Sequence, residues 1–376
     1  MEPSGLNQDW LQRLPCCRSG TTRAKRSGLN LLAKDTVMEL SEKTASQYLK
    51  SRGILAHRVA ELGGGISNVV LLVETGDESF ILKQSLSQLR VKDQWLADRS
   101  RIFREMESLI DTASILPKGS VPEVLWADRA NYLFAMTAVR GLCWKNELMA
   151  GRIDSAIAAR AGSLLGCLIG ETWASDVLRA KYGDLTAFEQ LRIDPYYRTI
   201  VARHPDVRAQ VLSVIEEMGQ RRFCLVHGDF SPKNVMVSGD RVALIDFEVV
   251  HFGDPSFDAA FCLSLLLLGW FYQPALRKQR EQVARAFFDA VRATLPPQAA
   301  YFFEKATLRH LGCLMLARID GKSPVEYLPE ESIQKQVREI AKQLILQCPE
   351  TLEECLERTF GRHDSTPLLP QTAPAL

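Results

Sequence analysis

The chain has 376 residues, with 46 Lys and Arg against 45 Asp and Glu and a formal net charge of +1. That balance carries no basic footprint for nucleic acid, and the length is enough for two lobes with their own cores. The longest apolar run, residues 259–272, contains Ser264 and is too short to span a bilayer, so a buried core helix is expected and a membrane partner is not.

In chain order, residues 1–37 carry an excess of Arg and Lys with several Ser and Gly. They lack periodicity and are expected to form a disordered extension. Met38 opens an orderly segment with a helix over 41–52. Strands are predicted over 56–62, 69–75 and 79–83, joined first by Gly63-Gly64-Gly65-Ile66-Ser67-Asn68 and then by the turn Gly76-Asp77. Ile102, Met106 and Leu109 give 97–110 helical spacing, and 124–127 with 132–138 form another strand pair. A linker follows near Val139-Arg140-Gly141. From Asp154 the chain turns mainly helical, and a Pro-, Thr- and Ala-rich tail begins at 361. The pattern is α+β: a small β-rich lobe over 38–140, a larger helical lobe over 141–360, and a cleft between them. Nine scattered cysteines without a Cys-x-x-Cys pair point to reduced thiols in the cytoplasm.

The helical region is interrupted by His227-Gly228-Asp229-Phe230-Ser231-Pro232-Lys233-Asn234, with Leu244-Ile245-Asp246-Phe247-Glu248 a dozen residues on. Apolar runs at 223–226, 235–237 and 242–245 frame these polar residues as short strands. Phosphoryl transfer needs this set. Asp229 can orient an attacking hydroxyl and accept its proton, while Asn234 and Asp246 offer hard oxygens to magnesium on nucleotide phosphates.

On the nucleotide side, Gly63, Gly64 and Gly65 can bring backbone N–H groups close to phosphate, with Ser67 and Asn68 as added donors. The alternative for such a triplet is a plain hairpin turn. No Gly-Lys-Ser/Thr follows, so it is not a Walker A loop. Lys83 ends the neighbouring strand. Glu105, rather than Glu107, is the expected acidic partner steering it onto the α- and β-phosphates.

Together these residues resemble the aminoglycoside phosphotransferase and choline kinase family over roughly residues 60–320. The resemblance implies a two-lobed protein-kinase-like fold, ATP or GTP as donor, Mg2+, and a small-molecule hydroxyl acceptor such as a sugar, amino alcohol or aminoglycoside. It implies Asp229 as base, Asn234 and Asp246 as metal ligands, Lys83 as the phosphate-binding lysine and His227 as support for the catalytic loop. Asp254 and Asp258 of Gly253-Asp254-Pro255-Ser256-Phe257-Asp258 would be scaffold. Glu248 stands where a protein kinase has the glycine of Asp-Phe-Gly. Asp-x-Glu is found in choline and methylthioribose kinases, where the second carboxylate helps hold magnesium; the alternative is an exposed acid at a strand end. Residues 82–90 with Gln94-Trp95 are similar to methylthioribose kinases, whereas Phe230, Ser231 and Asn234 depart from their His-Gly-Asp-Leu-His-x-Gly-Ser.

Two rival readings are a catalytically silent nucleotide-binding relative and a protein kinase. The first is disfavoured because Lys83, Asp229, Asn234 and Asp246 are all present. The second lacks an Ala-Pro-Glu and an activation segment. The acceptor site is expected in the helical lobe, from residues 182–197 or from 314–327 with Arg318, Asp320 and Lys322.

Overall fold

The computed structural model describes residues 37–361 apart from 64–66, 77, 89 and 91–97. The N-terminal extension before 37, the tail from 362, Gly64, Gly65 and Gln94-Trp95 lie outside the described residues. The remaining architecture is α+β, a five-stranded antiparallel sheet followed by a mainly helical region.

The helix Glu42–Ser51 starts at a capping box: Ser41 Oγ accepts from Thr44 N, and Thr44 Oγ1 accepts from Ser41 N at 2.7 Å. Strands β1 (Arg58–Glu61), β2 (Asn68–Thr75), β3 (Glu78–Ser85), β4 (Val124–Asp128) and β5 (Leu133–Thr137) form a sheet ordered β1-β2-β3-β5-β4. Side chains of β3 alternate between its two faces. Phe80 and Leu82 join a small core with Leu49 of the opening helix, while Ile81 joins the main core with Ile102 and Met106. Lys83 shares the face of Ile81, and that is why it meets the helix Arg101–Ile115.

That helix runs later than its sequence spacing suggested. Asp98 takes hydrogen bonds from the backbone and hydroxyl of Ser100 at 2.9 and 2.8 Å, holding 98–100 in a turn ahead of the first helical residue. The far end continues until Leu116 adopts an extended conformation ahead of Pro117, as the residue before proline prefers.

In the helical region β6 (Leu142–Cys143), β7 (Cys224–Val226), β8 (Val235–Ser238), β9 (Arg241–Leu244) and β10 (His251–Gly253) form two small antiparallel sheets, β6-β8-β9 and β10-β7. Leu244 N donates to Ser120 O at 2.7 Å, fastening the β8–β9 hairpin to the loop after helix Arg101–Ile115. The helix Ser256–Tyr272 is buried on nearly every side, as its apolar run foretold. Each of its large apolar side chains contributes roughly 1.5–3 kcal/mol by leaving water. Helix Arg277–Ala293 passes so close to helix Ser155–Glu171 that a Cβ at Gly162 would lie 2.2 Å from Phe287 O. No single helix among the described residues is long and apolar enough to cross a membrane.

Candidate active site

The loop after β7 is held from beneath by one carboxylate. Asp258, in the first turn of helix Ser256–Tyr272, accepts from His227 N at 2.7 Å and Gly228 N at 2.9 Å. Burial pushes its carboxyl up to about 7 despite these amide donors and that of Phe230. Gly228 has φ 77°, and a Cβ there would meet Val249 O at 2.6 Å, so the turn admits only glycine. His227 accepts from Asp229 N through Nδ1 at 3.1 Å and reaches Ile245 O through Nε2 at 3.1 Å. Burial lowers its imidazole to about 4. It therefore stays neutral near pH 7, joining the loop to the segment before Asp246. His227 and Asp258 are the scaffold that the sequence suggested.

Asp229 is 3 % exposed and heavily bonded. Arg192 Nη2 lies 2.9 Å from Oδ1, while Lys233 Nζ and Asn234 Nδ2 each lie 2.9 Å from Oδ2. Burial alone would raise its carboxyl, but Arg192 and Lys233 carry it well below the usual carboxylate range. It is an anion at any physiological pH. Arg192 also donates through Nε to Gly228 O at 2.7 Å, fixing the loop as well as its carboxylate.

Across the cleft, Lys83 Nζ bridges Glu105 Oε1 at 2.7 Å and Asp246 Oδ1 at 2.6 Å. The sequence preference for Glu105 over Glu107 is the pairing found; Glu107 meets Arg129 at 3.2 Å. Burial would lower Lys83, yet Asp246 and Glu105 lift it above its ordinary value. Burial raises Glu105, whereas Asp246 is brought down by Lys83 and Lys233 against its own burial. Asp246 has φ 71°, a left-handed conformation that Asp tolerates better than most side chains.

Glu248 is 7 % exposed, which overturns the reading of it as an exposed acid. It accepts from Ser67 Oγ at 2.7 Å and Asn68 Nδ2 at 2.8 Å, and Arg101 Nε stands 3.6 Å away. Ser67 and Asn68, expected to face phosphate, thus grip a carboxylate from the other side of the cleft. Gly63 is the one glycine of the triplet among the described residues.

Among the described residues no cluster of three or more His, Cys, Asp or Glu has the spacing of a self-sufficient metal site. The donor set still suits magnesium shared with phosphates, because that ion needs few protein ligands. Asn234 spends its Nδ2 on Asp229, which directs its Oδ1 elsewhere. Asp246 commits Oδ1 to Lys83 and keeps a quarter-exposed side chain. Asn234 O accepts from Ile245 N at 3.0 Å, so the backbone itself sets the two candidate ligands side by side.

Arg192 was not singled out from sequence. It sits 37 residues before Asp229 in an unremarkable polar stretch, and no spacing rule marks it. Of the residues suggested for the acceptor side, Asp320 is engaged elsewhere: Arg338 contacts both its oxygens at 2.7 and 2.9 Å, and His204 Nε2 lies at 2.8 Å. Arg318 instead joins Tyr196, donating to its hydroxyl at 3.0 Å.

A family model described as phosphotransferase enzyme family matches residues 58–302, more than half of the chain, and spans every residue from Lys83 to Asp258. Methylthioribose kinase 2 of Oryza sativa subsp. japonica is 23 % identical over 305 residues, 71 % of either chain. A methylthioribose kinase of Bacillus mycoides is 25 % identical over 312 residues, 73 % of this chain and 75 % of that one. Among solved structures, an amicoumacin kinase in complex with AMP-PNP and Ca2+ is similar at a TM-score of 0.49 and 14 % identity, covering 81 % of this chain and 94 % of that one.

Proposed function

The chain belongs to the phosphotransferase enzyme family, a kinase acting on an alcohol group, and we propose that it moves the γ-phosphate of ATP or GTP to a small-molecule hydroxyl held against Asp229. The observation that carries this reading is the placing of two polar clusters, Lys83 with Glu105 and Asp246 and Asp229 with Asn234 and Lys233, beside each other through the backbone bond from Ile245 N to Asn234 O.

In this scheme Lys83, steered by Glu105, meets the α- and β-phosphates. Asn234 and Asp246 would hold Mg2+, which when bound neutralises charge on the phosphates. The acceptor oxygen forms its bond to the γ-phosphorus as the bridging β–γ oxygen bond breaks and leaves with its electron pair on the nucleoside diphosphate. The hydroxyl proton passes to Asp229. A carboxylate held so firmly as an anion is a weak base, so its contribution is to orient the hydroxyl and to take the proton late, once the oxygen has become acidic by bonding phosphorus. Glu248, committed to Ser67 and Asn68, is assigned to holding the start of β2 against the segment after Asp246. The similarity to methylthioribose kinases supports a sugar acceptor. Seven described cysteines free of disulfides support a reducing, cytoplasmic setting.

The test is nucleoside diphosphate formation against methylthioribose, other sugars, amino alcohols and aminoglycosides with magnesium. Acceptor-dependent turnover that disappears in Asp229→Asn is expected. Tight nucleotide binding with no turnover on any acceptor would favour a silent relative instead.

A further inference from the structure

We propose that the acceptor carries an anionic group, a carboxylate or phosphate, beside its reactive hydroxyl, and that Arg318 reads this group with Arg192 behind it. The inference rests on the kinase reading and names the substrate class for that same site.

The geometry begins with the segment Glu189–Arg198, a π-helix containing Pro195. Such wide turns are uncommon and concentrate at functional sites. This one delivers Arg192 to Asp229 and Tyr196 to Arg318. The two guanidiniums share the same aromatic rings: Arg192 lies 5.9 Å and Arg318 5.5 Å from the centre of Tyr196, and 5.5 and 5.4 Å from that of Phe261. Both thus pack on the same pair of rings, and Arg192 contacts the carboxylate of Asp229 directly.

Their charges are unevenly answered. Arg192 has Asp229. Arg318 directs Nη1 to Tyr196 Oη, Ser323 O and Ser323 Oγ at 3.0, 2.9 and 3.2 Å, all uncharged partners. Its Nε is buried without a hydrogen bond, and no carboxylate of the described residues lies within ion-pair distance of it. The loop carrying Ser323 is pinned to the π-helix, since Lys322 N donates to Pro195 O at 3.0 Å, so the guanidinium is held in place. Burial would raise the Tyr196 phenol, but Arg318 and Arg192 bring it below its ordinary value. A half-buried cation without a countercharge is costly, and an anionic ligand removes that cost. A cationic amino alcohol or aminoglycoside would meet the unanswered like charge of Arg318 instead. Asp320, two residues from Arg318, cannot supply the balance because Arg338 and His204 already hold it.

The experiment is calorimetric titration of the full chain saturated with Mg2+ and AMP-PNP, using ribose 5-phosphate and ribonate as anionic probes, ribose and methylthioribose as neutral ones, and choline as a cation. An anionic probe should bind about 10- to 100-fold more tightly than the neutral probes, as one charge-assisted contact provides. Arg318→Gln should erase that preference, and Arg318→Lys should keep part of it. Equal or tighter binding of a neutral or cationic probe, no binding of any probe, or a preference that survives Arg318→Gln overturns the proposal. AMP-PNP binding in the same cell separates the two claims: nucleotide bound without anion preference sinks this inference alone, whereas no magnesium-dependent nucleotide binding sinks the kinase reading with it.

Discussion

Ser67 Oγ lies 2.7 Å from Glu248 Oε1 across 181 residues of sequence, and Asn68 Nδ2 lies 2.8 Å from the other oxygen. One carboxylate therefore ties the end of the glycine loop to the segment after Asp246. Two hydrogen bonds occupy part of the acceptor capacity of this carboxylate, and we propose that it acts as this latch, with metal ligation as the alternative that its position in Asp-x-Glu suggests.

The first expected outcome follows. Ser67→Ala and Glu248→Gln should each raise the nucleotide KM several-fold, and the double variant should cost less than their sum, because both break one contact. The magnesium concentration for half-maximal activity should stay where it is in wild type. A shift of that midpoint in Glu248→Gln alone, with additive KM effects, would make Glu248 a metal ligand and the contact incidental.

Asp229→Asn should lower turnover by roughly 10²–10⁴-fold while nucleotide affinity stays near wild type. The amide can still face Arg192 and Lys233, but it can neither take a proton nor orient a hydroxyl by accepting from it as an anion. Turnover and nucleotide affinity from one preparation decide it. Near-normal turnover would remove Asp229 from the chemistry.

Much of this site was legible in the sequence because its polar residues are local. Asp229 and Asn234 share one loop, Asp246 follows one hairpin later, and the short apolar runs between them can only be strands. Lys83 and Glu105 were readable because a period-2 strand and a 3.6-period helix each commit one face to the core. The Glu248 latch and Arg192 were not, and Arg318 was named without its neighbour. Those contacts depend on how the two halves of the chain close on each other and on a π-helix, whose register no simple periodicity announces. The partners of Asp320 were hidden for the same reason: Arg338 comes from helix Glu331–Leu346 and His204 from the end of helix Thr199–Arg203.

Lys83→Met should destabilise the fold as well as stop catalysis. Glu105 is wholly buried and would lose the one ion-pair partner it has among the described residues, a change that typically costs about 3–5 kcal/mol. Lys83→Met combined with Glu105→Leu should recover part of that stability and none of the activity. Denaturant midpoints for the two variants provide the measurement. A double variant no more stable than Lys83→Met would show that the pair contributes nothing beyond its shape.

Acid should weaken the fold through His251. Its Nδ1–H donates to Val249 O at 3.1 Å, its ring lies on Phe188 with centroids 3.9 Å apart, and Arg104 and Arg222 oppose a further positive charge while Asp254 favours one. Burial, the largest of these influences, lowers its imidazole to about 3, against about 6.5 in an unfolded chain. Above pH 6.5 both states are neutral and the histidine costs nothing. Between pH 6.5 and about 3 the unfolded chain takes up a proton that the folded one refuses, so stability falls as pH falls, by up to about 3 kcal/mol at pH 4. Buried acids such as Asp258, raised to about 7, act in the opposite direction over an overlapping range, so the comparison must be with a variant. Unfolding free energies of wild type and His251→Gln, taken from pH 7.5 to 4, should therefore move relative to each other, wild type losing ground steadily below 6.5. A constant difference across that range would mean that His251 is charged in the folded state, and that its stacking on Phe188 tolerates an imidazolium.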